Sequence, residues 1–344
     1  MATKCSKRDP RNPDEFCLER SFPLRAGVLL ISEIGLVSFT LAASLLIYTL
    51  RKAYKLKYRR AGDPDSKLQP ISVLFLCAIF LDVIQGISNI LSVKWAFQGE
   101  ITEGSYCTAQ AVMKQLGNDG VAWFTIAIAV LTYLQVFHNE LLGERGAKKF
   151  MAVSIFVIAL FLLLMISIPA SSRHPYYGDT GLWCWILNER HNGPLRIASE
   201  YAWMWFAVIV AIVAYGRIAY KWRRDASNNF DDPVMKRNAI AMGWYPIVYF
   251  IVVAPQSVIR FLQFRASGHR PGHGWTILTS AIFSSSGALN VILWLWTGRR
   301  FGFKGTTSQE EPTSPRDVEM TAYPAPHVGV NASGAYHHTV TTPT

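Results

Sequence analysis

Charge is scarce in this chain of 344 residues: Asp, Glu, Lys and Arg make up 17% of it, against about 25% in ordinary soluble domains. Residues 1–25 hold no apolar core, so no cleavable signal peptide is expected there. No stretch alternates apolar and polar residues over the ~10 positions of a membrane strand, which excludes a closed barrel. No internal repeat relates the two halves. Histidines cluster only at His337–His338 and at His269 and His273, without the spacing of a metal-ligand framework. No enzymatic site, metal or cofactor is expected.

Long apolar sequence is what the chain has in abundance. Seven runs stand out: Ala26–Leu50, Pro70–Val93, Cys107–Phe137, Phe150–Pro169, Ile197–Tyr220, Asn238–Leu262 and Gly274–Thr297. Each reaches the ~20 helical residues that cross about 30 Å of hydrocarbon. The expected fold is an all-α membrane protein, a seven-transmembrane helix bundle over residues 26–303. A tail at 1–25 precedes it. A second tail, 304–344, is too poor in large apolar residues to fold.

The net charge of +11 follows topology rather than nucleic-acid binding. The most basic segment lies between the first two runs, with Arg51, Lys52, Lys55, Lys57, Arg59, Arg60 and Lys67. With the other loops on that side the Lys and Arg count is eighteen, against twelve opposite. The positive-inside rule then places the N-terminus outside and the C-terminus in the cytosol, a multi-pass arrangement expected in the plasma membrane. A basic inner rim also suits an anionic leaflet of the lipid bilayer. The sequon Asn331-Ala332-Ser333 falls on the inner side, where it would stay unmodified.

Cys107 opens the third run and Cys184 lies between the fourth and fifth. Both are outside in this topology, where a disulfide persists, and the bundle brings their ends together. Cys5 and Cys17 also fall outside and could pair, whereas Cys77 lies within the second run as a small apolar residue. The aromatic segment Trp183-Cys184-Trp185 has two readings, a lid over the bundle mouth or part of an interfacial belt.

Ionisable residues at membrane depth cost at least ~2.5 kcal/mol each and so face inward with partners. They are Glu33, Asp82, Lys114, Asp119, Glu200 and Arg260, with Arg217 near an inner end. Lys114 and Asn118 share a helix face, as do Gln115 and Asp119. Lys114 and Arg260 lie shallow enough to line a vestibule, with Asn118, Glu200, Gln256 and Trp185. The bland alternative pairs Lys114 with Glu200 or Asp119 as a strut. Asp82, followed by Gln85 and Asn89, can meet Asn290 in a polar core able to rearrange. Pro246 and Pro255 each remove a backbone hydrogen bond from the sixth run and predict a kink or pivot there.

Together the segment Tyr106-Cys107-Thr108-Ala109-Gln110, the Trp183-Cys184-Trp185 loop and the ending Asn290…Trp294…Thr297 resemble cyclic-AMP-receptor-like G protein-coupled receptors. Slime-mould cyclic AMP receptors and fungal glucose-sensing receptors belong to that family, and a fungal member is the expected placement. The resemblance covers roughly residues 25–303. It implies a receptor that senses a small extracellular ligand, a nutrient or a polar or anionic molecule, and activates a heterotrimeric G protein through Gα, often upstream of cyclic AMP. Lys114, Asn118, Glu200, Arg260, Gln256 and Trp185 are then the ligand-binding candidates. Asp82, Asn290 and Pro246 form the activation core, and Arg223, Arg224, Lys236 and Arg237 the coupling surface. Rhodopsin-like signatures are missing: Phe137-His138-Asn139-Glu140 and Asn290-Val291-Ile292-Leu293 stand where those would lie.

Two rival seven-span classes compete. A retinal protein needs a Schiff-base lysine in the last span, and residues 274–297 contain none. A small-solute transporter with Pro-Gln motifs finds one match at Pro255-Gln256, but such transporters carry the motif in both repeats. Thr306, Thr307, Ser308, Thr313 and Ser314 are phosphorylation candidates in the second tail.

Overall fold

The computed structural model describes residues 22–59, 69–172, 175–187, 196–225, 233–264 and 272–297, all within one unit, Met1–Gly305. The Cys5–Cys17 pairing, the tail 304–344 with its phosphorylation candidates, and most of the tail 1–25 lie outside the described residues. So do the side chains of Lys236 and Arg237.

Helix α1 spans Phe22–Arg59 and α2 spans Pro70–Ile90. Proline starts α2 where its missing N–H has no intrahelical partner to lose. A short α3, Val93–Gln98, ends at Gly99. Helix α4 spans Ser105–Phe137, and α5 spans Asn139–Ser172 with a break at Gly143, whose φ of 52° suits glycine. Two strands follow, β1 at Tyr177–Asp179 and β2 at Cys184–Ile186. A π-helical turn, Ile197–Tyr201, leads into α6, Ala202–Asp225. Then come α7, Pro233–Phe264, α8, His273–Ser284, and α9, Ser286–Thr297.

Among the described residues six helices are long and apolar enough to cross a membrane, and α8 with α9 makes a seventh if that bent pair is one span. The packing is inside out relative to a soluble protein. Large apolar side chains such as Phe156, Leu163, Ile209 and Ile212 face outward, while Asp82, Gln85, Gln115, Asp119 and Glu200 are buried. Lipid is the solvent that stabilises this distribution, because it offers polar groups no hydrogen bonds. The chain is a multi-pass, all-α membrane protein.

The prolines of the sixth run do not divide it: α7 continues through Pro246 and Pro255 as one helix. A break does fall between α8 and α9, a bend of 41°. Its cause is the run Ser284-Ser285-Ser286-Gly287. The Ser285 hydroxyl donates back to Ile282 O at 2.7 Å, and the Ser285 N–H donates to the same carbonyl at 3.2 Å. Such local bonds compete with the helical ladder.

At Gly117 the helices α2 and α4 approach closely. A Cβ there would lie 2.7 Å from Gln85 Cβ and 3.0 Å from the Gln85 backbone. Because the obstacle is backbone, Gly117→Ala should push α2 from α4 and lower stability by about 1–3 kcal/mol. Gly216→Ala on α6, with nothing within 4 Å of the new methyl, is the control and should be neutral or slightly stabilising. Unfolding midpoints of the two purified variants check this; equal midpoints would remove the close-packing argument.

Candidate functional site

The loop between α5 and α6 folds as an antiparallel hairpin, with Tyr177 opposite Ile186, Gly178 opposite Trp185 and Asp179 opposite Cys184. Its turn is closed by the Gly181 N–H donating to Asp179 Oδ1 at 2.7 Å and the Thr180 hydroxyl donating to Trp183 O at 2.8 Å. Gly181, at φ 103°, takes the conformation that a side chain would resist.

Four ties seat this hairpin on the bundle. Cys184 is joined to Cys107 at the start of α4, with Cα atoms 5.3 Å apart. One turn on, the fully buried Gln110 uses its whole amide. Its oxygen accepts from Cys184 N at 3.0 Å and Trp95 Nε1 at 2.7 Å. Its nitrogen donates to Ser88 O at 3.1 Å and Ser92 Oγ at 2.8 Å. The Tyr177 hydroxyl donates to Gln115 Oε1 at 2.6 Å, and burial pushes that phenol well above its usual range, so it stays a donor. Arg196 donates to Leu187 O at 3.1 Å and to Ile186 O at 2.6 Å. Burial, then the neighbouring Arg260, lowers the Arg196 guanidinium to about 10, which leaves it charged at neutral pH.

Trp183 and Trp185 are 4% and 2% exposed. They form a lid; an interfacial belt would leave them at the lipid face. Under the lid lies a cavity of about 20 Å³, room for about one water. All six ligand-binding candidates, Lys114, Asn118, Trp185, Glu200, Gln256 and Arg260, line it. They come from α4, β2, the π-turn and α7, so no short motif could have displayed them together.

Positive charge surrounds the lid rings. Lys114 lies 5.0 Å from the Trp183 ring centre and Arg260 lies 4.4 Å from it, while Arg196 stands 5.3 Å from the Trp185 ring. Contacts of this kind contribute up to ~2 kcal/mol when desolvated. Lys114 donates to Asn89 Oδ1 at 2.8 Å, so its hydrogen bond goes to neither carboxylate of the strut reading. Arg260 donates to Gln263 Oε1 at 3.1 Å, yet its buried Nε has no hydrogen-bond partner. Gln256 Oε1 accepts from the Ser280 hydroxyl at 3.2 Å.

From the lid a chain of side-chain hydrogen bonds crosses the bundle. Trp185 Nε1 donates to Glu200 Oε2, and Asn118 Nδ2 donates to Glu200 Oε1 at 2.6 Å. Gln85 Nε2 donates to Asn118 Oδ1 at 2.8 Å, and the Ser286 hydroxyl donates to Gln85 Oε1 at 2.8 Å. Ser286 also approaches Asp82 Oδ1 at 3.4 Å, and Asn290 Nδ2 donates to Asp82 Oδ2 at 2.8 Å. The expected meeting of Asp82 with Asn290 is therefore one end of a longer relay. Ser286 sits at the α8–α9 bend, which is what turns its hydroxyl towards α2.

Beyond Asn290, at the end of the bundle opposite the disulfide, opens a second cavity of about 640 Å³. Pro246 and Asn290 both lie in its wall. Arg223 and Arg224 are exposed on the last turn of α6. Beside them Lys221 reaches back to donate to Val136 O at 3.1 Å, tying α6 to α4.

Sequence reasoning singled out neither Ser286 nor Arg196, and took Gln110 only as part of a motif. Gln110 had a signal, three residues after Cys107 on a helix. Arg196 had none, because its partners are hairpin carbonyls. No protein-family model matches the sequence, and no curated protein matches it either.

Proposed function

We propose that this chain is a G protein-coupled receptor of the plasma membrane, with the disulfide end outside and the opposite end in the cytosol. Its seven spans count α8 and α9 as one. Its ligand is a small anion, received under the Trp183–Trp185 lid by Lys114 and Arg260. Binding energy there comes from charge-assisted hydrogen bonds in a cavity walled by indole rings, where water competes poorly. The observation that carries this reading is the relay from Trp185 to Asn290. A ligand that displaces the Trp185–Glu200 bond unsettles Asn118, Gln85 and Ser286 in turn. It thereby biases the α8–α9 bend and the end of the bundle that meets Gα.

The closed, water-sized cavity is the resting state in this reading, and the ligand must lift the lid to enter. Arg260 Nε supplies a donor that needs no other bond broken first.

The test uses full-length protein in nanodiscs. Small carboxylates, phosphates and sulfates are screened by thermal stabilisation, and each hit is assayed for nucleotide exchange on purified Gα. Hits should lose their effect in Lys114→Gln and Arg260→Gln. Arg223→Ala with Arg224→Ala should slow exchange by roughly tenfold, as loss of rim charges slows association, without changing anion stabilisation. Anion flux into proteoliposomes with no exchange on any Gα would assign the chain to solute transport instead.

A further inference from the structure

Of the ionisable residues at membrane depth, Asp82, Lys114, Asp119, Glu200 and Arg260 are buried in the bundle. Glu33 is the exception to the expected inward placement, exposed on the outer side of α1. No other ionisable residue lies between Arg25 and Arg51. Arg25 ties α1 to α3 at the disulfide end, donating to Ala96 O at 2.8 Å and to Phe97 O at 2.9 Å. Along the helix Glu33 lies about 12 Å below it. Among the described residues Glu33 has no hydrogen bond or ion pair. Ala26, Leu30, Glu33, Val37 and Thr40 follow one another at spacings of four and three residues, all exposed. Val28, Ile31 and Ala42, on the other side of the helix, are buried. Such a spacing is the seam of a left-handed helix pair. The Thr40 hydroxyl donates to Val37 O at 2.9 Å within α1, so lipid leaves it satisfied. The Glu33 carboxyl has no such outlet, and hydrocarbon offers none.

We propose that this stripe is the contact between two copies of this chain, packed α1 on α1 about a two-fold axis along the membrane normal. Copies inserted with one orientation present Glu33 at one depth, so the axis brings each carboxyl onto its own counterpart. Carboxyl groups are self-complementary: when one carries a proton, its O–H donates to the other. The buried ionisable residues at membrane depth are closed to a second copy, which leaves Glu33 as the group that answers Glu33. Leu30 and Val37, 46% and 55% exposed, flank the pair one turn above and one turn below and pack against their counterparts. A neighbouring span carrying a lysine or arginine would also answer Glu33, but it would need an unpaired charge of its own at that depth. A second copy brings the matching group with it. The proposal stands apart from the receptor reading, since it requires neither the lid ligand nor Gα.

Förster transfer between amino-terminally labelled full-length copies in phosphatidylcholine vesicles tests it, followed as the protein is diluted with lipid. The wild type should dissociate with a defined midpoint. Glu33→Leu should move that midpoint roughly tenfold towards higher protein-to-lipid ratio, as the loss of an interhelical polar bond does. Glu33→Gln should keep it within roughly threefold, because an amide also donates to and accepts from its own kind. Leucine suits a lipid-facing position, so the Glu33→Leu monomer should unfold no more easily than the wild type, which separates loss of contact from loss of fold. Ala26→Cys should oxidise to an intermolecular disulfide, whereas Ile197→Cys, on the exposed π-turn, should not. A wild type that is monomeric at every ratio, an unshifted Glu33→Leu, or cross-linking through Ile197→Cys in place of Ala26→Cys would each overturn the proposal. So would a wild type that ignores its own copies but pairs with a polyleucine helix bearing one lysine, which would assign the stripe to a basic partner span.

Discussion

Replacing Cys184 by serine should lower stability by about 4 kcal/mol, in the range for opening a loop of this length. The bridge links positions 77 residues apart, so the unfolded chain regains considerable freedom when it is cut. A second effect follows from the seat of the hairpin. Cys184 N–H donates to the buried Gln110, and Trp185, the next residue, holds Glu200. Freed from α4, the hairpin should release both, and the lid should open. The expected result for Cys107→Ser or Cys184→Ser is a large fall in unfolding midpoint together with enhanced quenching of the lid tryptophans by a soluble quencher. Mass spectrometry that found Cys107 and Cys184 as free thiols in the native protein would dispose of this account.

Gln85→Leu should separate reception from output. Gln85 is not part of the lid cavity's lining, but its amide joins Asn118 to Ser286. Leucine is similar in length and fills the space beside Gly117, so the helices should stay packed. It leaves Asn118 Oδ1 without its donor, at about 1–3 kcal/mol for a buried unsatisfied group, while the Ser286 hydroxyl keeps Asp82 Oδ1 at 3.4 Å. An anion that stabilises the wild type should still stabilise Gln85→Leu to within about threefold in affinity. Exchange on Gα should fall by tenfold or more, the equivalent of about 1.4 kcal/mol of lost coupling. If exchange and anion affinity fall together, the relay is a structural strut and carries no signal. If neither changes, the signal takes another route.

The two halves of the site were unequally legible. Lys114, Asn118, Glu200 and Arg260 announced themselves because polar groups at membrane depth have few stable places to go other than the interior. The aromatic loop announced itself only as an ambiguity, since Trp183 and Trp185 fit a lid or a belt equally well until the hairpin register was known. Pro246 and Pro255 lie inside one continuous α7, whereas Ser284-Ser285-Ser286-Gly287 produced a break at a place that looked like ordinary span. Proline strength depends on what neighbouring helices supply; serine strength depends on where its hydroxyl finds an acceptor. Both are properties of neighbours, absent from a local pattern.

The sequence by itself determined the solvent and the pair of cysteines that meet. Each depends on length and composition: a run of about 20 apolar residues reaches across hydrocarbon whatever its neighbours are, and a disulfide needs only two thiols brought to the same end. The tertiary structure alone decided the connectivity of the interior. Which donor answers Glu200, whether Lys114 pairs with a carboxylate or with Asn89, and how Gln85 joins α4 to α9 all depend on distances of a few tenths of an ångström between different helices. Hydrogen bonds are that sensitive to geometry, and helix spacing is set by packing, as where Gly117 admits the backbone of α2. Hydrophobicity places a helix in the membrane; close packing and hydrogen-bond geometry choose its partners.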